Sequence, residues 1–274
     1  MSTGLAEQKV GFLGCGAMAR ALCGGLIAGG VPPAQLQGSD PSPAQRESFA
    51  ESLGVETTGE NEALVASSDI VVVCTKPGLV AEAIGALPEA LRSEPRLWIS
   101  IAAGIRLSAL EQSLGTPSRI VRVMPNTPAL VGDGASVFCP NTSATDLDRA
   151  AAESLLSSVG TTWEAPSEEM LDAVTGVSGS GPAYVFLFLE ALTDAGQKQG
   201  LPREAANALA FQTVLGAARL ALESELSPAE LRAQVSSPGG TTVAGLAELD
   251  RAGFREAVDR AVTAATNRSR ELGE

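Results

Sequence analysis

Four runs of consecutive apolar residues mark the first part of the chain: "KVGFLG" (9–14), "IVVVCT" (70–75), "LWISIA" (97–102) and "RIVRVM" (119–124). None of them alternates apolar with polar, as a strand with one wet face would. Such runs are expected of parallel strands covered on both faces. Helical periodicity fills the gaps at 16–29, 43–53, 60–67 and 106–114. Strand and helix in this alternation predict a doubly wound parallel sheet. Two more strands near 134–139 and 159–164, with a helix at 144–157 between them, are expected to close it.

Beyond "TWEAPSEEM" the rhythm changes, and 167–274 holds almost no β-rich run. In "GPAYVFLFLEALTDAGQKQG", Tyr184, Leu187, Phe188, Ala191, Leu192 and Ala195 share one helical face. Val185, Phe186 and Leu189 make the other faces apolar too, and 205–222 is similar. Helices that are greasy all round need burial all round, and a helical domain of ~100 residues has little interior to give. The helices are therefore expected to pack against a second copy of the chain. The fold class is α/β, a doubly wound sheet domain over 1–165 followed by an all-α dimerisation domain over 166–274.

The 274 residues, 45% of them hydrophobic, suffice for a large core. A net charge of −13 argues against nucleic acid and anionic membrane as partners. No apolar stretch approaches the ~18 residues of a membrane span, and "MSTGLAEQKV" lacks the pattern of a secretory leader. Cys15, Cys23, Cys74 and Cys139 have no metal-binding spacing, and there is no histidine to complete a zinc set, so no metal is expected. Buried free thiols in a reducing, cytoplasmic setting are the simplest reading.

"VGFLGCGAMARAL" sets a strand directly before Gly14-x-Gly16-x-x-Ala19. Gly14 permits the tight turn, Gly16 lets backbone approach a pyrophosphate, and Ala19 allows close packing of helix on sheet. The amides at the start of the helix then face the anion. At the end of the second strand, Asp40 would accept from a ribose 2′-OH and favour NADH. Ser39, Ser42 and Arg46 stand beside it and suit the 2′-phosphate of NADPH, so the choice of cofactor stays open. The segments "TKPG", "SIAAGI" and "VRVMPNTPALVG" follow later strands and should line the cofactor cleft.

Taken with "DAVTGVSGSGPAYVF" and "VSSPGGTTVAGL", these motifs resemble pyrroline-5-carboxylate reductase from about residue 9 to residue 272. The resemblance implies a Rossmann domain, a dimerising helical domain, and in many members a further assembly to decamers. It places Gly14, Gly16, Ala17 and Met18 on the pyrophosphate, and Ser39, Asp40 and Ser42 near the adenosine ribose. Asn61 would contact the cofactor, Thr75, Lys76 and Pro77 would flank it, and Ala102 and Ala103 would meet the nicotinamide. Met124, Asn126 and Thr127 would lie on the cofactor close to the reacting centre, and Ser237, Gly240, Thr241 and Thr242 would bind substrate. Relatives often carry serine, threonine or asparagine where Asp40 stands.

The implied substrate is a five-membered cyclic imine with one carboxylate. A Pro-Gly-Gly turn entering a helix offers backbone amides at a positive dipole end, and these, with Ser237, can grip that carboxylate. Thr242 is then the catalytic candidate, presenting its hydroxyl to the ring nitrogen. A protonated imine already carries the charge that draws hydride, which fits a chain without histidine. Tyr184, the sole tyrosine, reads as a packed helix residue rather than a proton donor. Lys76 reads as an acid or, preferably, as an ion-pair partner of a carboxylate such as Glu225. Trp98 and Trp163 read as core or interface. A reductase of a larger-ring imine is the near alternative, since one methylene is worth only ~1–3 kcal/mol of discrimination. A hydroxyacid dehydrogenase would want a lysine early in the long helix, where "GPAYVFLFLEAL" has none. A non-catalytic dinucleotide module would have no use for "SSPGGTT".

Overall fold

The computed structural model describes residue 5 and residues 7–115 and 117–273. Residues 1–4, part of the segment expected to lack a secretory leader, lie outside the described residues. In chain order the first half contains β1 (Val10–Leu13), α1 (Ala17–Ala28), β2 (Leu36–Ser39), α2 (Pro43–Leu53), β3 (Glu56–Thr58), α3 (Asn61–Ala66), β4 (Ile70–Val73), α4 (Val80–Gly85), α5 (Glu89–Ser93), β5 (Leu97–Ser100), α6 (Leu107–Leu114) and β6 (Arg119–Met124). Then follow β7 (Gly134–Pro140), α7 (Asp146–Ser157), β8 (Gly160–Glu164), α8 (Met170–Val174), α9 (Gly181–Lys198), α10 (Arg203–Glu223), α11 (Pro228–Gln234), α12 (Thr241–Arg251) and α13 (Phe254–Leu272).

The eight strands form one sheet in the order β3-β2-β1-β4-β5-β6-β7-β8. β1 to β6 are mutually parallel, which is the doubly wound Rossmann arrangement. The two strands expected to close the sheet do so, with β7 running antiparallel to β6. Its connection, 125–133, is too short for a parallel crossover, which needs a dozen or more residues. β8 pairs parallel to β7 after the α7 crossover.

Neighbouring residues on a strand serve opposite faces. Phe12, Val72 and Ile99 join Leu22, Phe49 and Leu155 in one core, while Leu13, Val71 and Trp98 join Leu110 and Leu171 in the other. Each fully buried large side chain contributes roughly 1.5–3 kcal/mol. This two-sided burial is why the strands read as unbroken apolar runs. At the outer edge, Gly134 donates its amide to the Val159 carbonyl at 2.8 Å. Gly160 has φ +148°, and a Cβ there would overlap the Gly134 backbone.

The chain divides into two compact units, 1–180 with 264–274, and 181–263. The end of α13 thus belongs with the sheet. Within the second unit α9 packs on α10, burying Thr193, Ala206 and Ala210. Large apolar residues elsewhere on both helices are open, among them Phe186 at 60% and Leu187 at 66% exposure. One expectation needs correction: α10 is long and apolar enough to cross a membrane, with a mean hydropathy of 1.2 over 18 residues. Asn207, Gln212 and Thr213 break its apolar run without adding charge, so a search for unbroken stretches passes over it.

Candidate active site

The cofactor crevice is built where β1, β2, β4 and β5 end. Gly14, at φ +106°, makes the turn out of β1, and a Cβ on it would come within 2.9 Å of the Cys74 carbonyl oxygen. Gly16 is the N-cap of α1, and a Cβ there would meet nothing within 4 Å. No side chain caps this helix among the described residues, and its first turn, with Ala17 and Met18, carries no acid. Its leading amides are therefore free for an anion. Thr75 adds a buried hydroxyl without a hydrogen-bond partner among the described residues just past β4. An open glycine cradle, an unmet helix start and an orphaned hydroxyl all fit a dinucleotide.

The adenosine side is knit by Asp40. Its carboxylate accepts from the Cys15 amide at 3.0 Å and from the Ser42 amide at 2.9 Å, so it ties the glycine turn to the start of α2. Arg46 donates to the Asp40 backbone carbonyl at 2.7 Å, and Arg20 to that of Cys15 at 3.1 Å. Ser39 is fully buried and donates its hydroxyl to Asn61 Oδ1 at 2.8 Å. Its side chain orients Asn61 rather than opening to the crevice. The four thiols are unpaired among the described residues. Burial, reinforced by the Asp40 charge, pushes Cys15 up to about 12. Burial likewise pushes Cys23 up to about 12 and raises Cys74 and Cys139.

In the turn after β5, Ala102 is buried and Ala103 exposed. Lys76 and Pro77 are exposed beyond Thr75. Lys76 makes no ion pair among the described residues of its unit; Glu225, the partner expected for it, lies in the other unit. Asn126 has both ends of its side-chain amide engaged. Oδ1 accepts from the Ala135 amide at 2.8 Å, and Nδ2 donates to Ser178 Oγ at 3.3 Å. Ser178 lies in a π-helical turn, Thr175–Gly179, which the sequence motif did not reveal as helical. Such turns recur at functional positions. Half-buried Met124 lies against Gly179, where a Cβ would overlap its terminal methyl, and Thr127 stands exposed at the start of a 3-10 turn. Trp98 is core, whereas Trp163 is half exposed beside an apolar groove of about 440 Å³ that also involves Met170, Val174 and Val177.

The second unit contains the "SSPGGTT" loop. Gly240 is the N-cap of α12, with no side-chain cap among the described residues and no acid in the first turn. Its amide donates to the Ser237 carbonyl at 2.9 Å, and a Cβ on it would stand 2.6 Å from Ser237 Oγ. Thr241 and Thr242 occupy the first turn of α12, with Thr241 exposed and Thr242 half-buried. This is a second glycine-entered helix start with free amides. Tyr184 Oη donates to the Ala261 carbonyl at 3.4 Å, as suits a packed residue.

Residues 168–272 match the family model described as pyrroline-5-carboxylate reductase dimerisation, and residues 9–104 match one described as NADP oxidoreductase, coenzyme F420-dependent. A pyrroline-5-carboxylate reductase of Pseudomonas aeruginosa is 46% identical over 98% of this chain and 98% of its own length. The enzyme of that name from Escherichia coli is 39% identical over 97% of this chain and 98% of its own. The solved structure of a pyrroline-5-carboxylate reductase from Coxiella burnetii superimposes with a TM-score of 0.92 at 40% identity, covering 97% of this chain and 99% of that one. A Plasmodium falciparum pyrroline carboxylate reductase with NADP bound gives 0.88 at 34% identity, over 98% of this chain and 99% of that one. Identity of this order over nearly the whole length settles the assignment: the chain belongs to the pyrroline-5-carboxylate reductase family.

Proposed function

We propose that this protein reduces 1-pyrroline-5-carboxylate to L-proline with NADH or NADPH, the last step of proline biosynthesis. One observation carries the reading: two helix starts, α1 and α12, are each entered through glycine and each lack, among the described residues, both a side-chain cap and a first-turn acid. The first suits a pyrophosphate and the second a single carboxylate. The bound cofactor supplies hydride from nicotinamide C4. Gly14, Gly16, Ala17 and Met18 hold its pyrophosphate. Asn61, Thr75, Lys76 and Pro77 flank it, and Ala102 and Ala103 leave room for a flat ring. Asp40, Ser42 and Arg46 decide between the two cofactors.

On the substrate, the Thr241 and Thr242 amides and the Ser237 hydroxyl hold the carboxylate, and Gly240, its own amide tied to the Ser237 carbonyl, lets the ligand come close. Thr242 Oγ1 meets the ring nitrogen. Alignment is the main task, and such positioning is worth roughly 7–11 kcal/mol. The sheet domain, 1–165, binds the dinucleotide, and the helical domain, 166–274, dimerises and binds substrate. The open apolar faces of α9 and α10 serve self-association, to a dimer and onward to a decamer, and the acidic chain works in the cytoplasm without nucleic-acid or membrane partners.

The test is loss of absorbance at 340 nm when 1-pyrroline-5-carboxylate meets either reduced cofactor. Turnover confirms the reading. Binding of cofactor without turnover of this substrate or its six-membered homologue would leave a dinucleotide module and sink it.

A further inference from the structure

The turn that follows β5 is fixed from two distant parts of the chain. Gly104 has φ +76°, and a Cβ there would stand 3.2 Å from the Leu272 Cβ in the last turn of α13. Two residues on, Arg106 donates from Nε to the Gly273 carbonyl at 3.0 Å, and its guanidinium lies 3.7 Å from the Asp172 carboxylate. Asp172 is buried on α8 and accepts from Ser269 Oγ at 2.7 Å. Glu168 accepts the Leu107 amide at 2.7 Å and pairs with buried Arg122 at 2.6 Å.

The turn therefore ends in a cluster of two ion pairs, partly exposed Arg106 with buried Asp172 and buried Arg122 with partly buried Glu168. Such a cluster fixes position firmly, because losing one member leaves the others desolvated and unpaired. β5 sits in the β4-β5-β6 half of the sheet, the half that takes the second nucleotide of a dinucleotide. Ala102 and Ala103 belong to the proposed cofactor site, whereas Arg106, Asp172, Ser269 and the end of α13 have no part in it.

We propose that Arg106, Asp172 and Ser269, with the Gly273 carbonyl, form a clasp by which the last turn of α13 sets the Ala102–Ala103 backbone against the nicotinamide ring. They are positioning residues that touch neither substrate nor cofactor. The proposal rests on the reading that this turn meets the nicotinamide.

A pair of ligands separates positioning from general stability. NADPH carries the nicotinamide, and 2′-phospho-ADP-ribose carries the rest of the molecule without it. Ser269→Ala and Asp172→Asn are expected to weaken NADPH about 5–20-fold, the worth of one or two buried hydrogen bonds, while leaving 2′-phospho-ADP-ribose within about twofold of the parent. Ser269→Thr, which keeps the hydroxyl, restores NADPH affinity. Arg106→Lys keeps the cation beside Asp172 and removes the Nε donor, so it reports on the clasp even if Asp172→Asn does not fold. Arg119→Met, which breaks the Arg119–Asp148 pair elsewhere on the sheet, lowers thermal stability without changing the ratio of the two affinities.

Equal losses for both ligands, or no loss for NADPH in any clasp variant, overturn the proposal. A parent protein that shows the ligand difference but does not turn over 1-pyrroline-5-carboxylate would overturn the proposed function and leave the clasp standing.

Discussion

The sheet unit and the helical unit treat apolar residues in opposite ways. In the sheet, Phe12, Leu13, Val72, Trp98 and Ile99 are almost wholly buried within the chain. In α9 and α10, Phe186, Leu187, Leu209, Phe211 and Leu215 stand open. The two regions resemble each other in composition, but one has finished its core and the other has not. A strand between two neighbours can be covered on both faces by helices of the same chain. A two-helix pair has only one mutual face, and small residues such as Ala206 and Ala210 line it. A domain that leaves this much apolar surface open depends on association, in keeping with the dimerisation family that residues 168–272 match.

The same substitution should thus have different outcomes in the two units. Val72→Asp places an unpaired charge at the centre of the sheet, costs several kcal/mol and abolishes folding; circular dichroism after expression checks it. Leu215→Glu is expected to leave the sheet unit folded and binding cofactor while the assembly falls to monomer, as sedimentation would show. A folded monomer with full turnover would break the comparison. Gly14→Val forces a side chain into positive φ and against the Cys74 carbonyl, a strain of about 1–3 kcal/mol. Titration with NADPH should show affinity falling roughly 5–150-fold.

Thr242→Val is expected to lower kcat about 10-fold, the worth of a hydrogen bond made to the reacting ring, and to leave NADPH affinity unchanged. Unchanged kcat removes Thr242 from the mechanism. The smallest effect concerns the thiols. Cys15 and Cys23 are raised from 9.0 to about 12 by burial. A thiol held neutral in the native state contributes stability that is complete below pH 9 and is lost as pH rises from 9 toward 12. Melting temperature should hold to pH 9 and decline above it, and iodoacetamide at pH 8 should label these thiols only after unfolding.

Much of the sheet was legible because two-sided burial writes itself as unbroken apolar runs. β3 was not, because its Glu-Thr-Thr at the sheet edge needs no apolar side chain. The reversal of β7 left no mark in periodicity; only the length of the connection signalled it. In the site, glycine positions and helix starts were readable, since they are local backbone requirements. The partnerships were not. Asp40 as a tie for the glycine turn, Asn126 bonded to Ala135 and Ser178, and Arg106 clasped to Asp172 and Gly273 all join residues from different elements of the fold. A charged residue just past a cofactor motif, as Arg106 is past "SIAAGI", was the one signal on offer. The π turn hid in "TGVSG", whose glycines and hydroxyls carry no apolar helical periodicity.

The backbone contact between Gly160 and Gly134 reaches further than its place on the rim implies. Ala135, next to Gly134, gives its amide to Asn126, a residue expected near the reacting centre. A methyl group added at 160 would prise the rim apart and drag that amide with it. The lesion would surface in assays as poor chemistry in a protein whose every contact residue is intact, and a search confined to the crevice would miss its source.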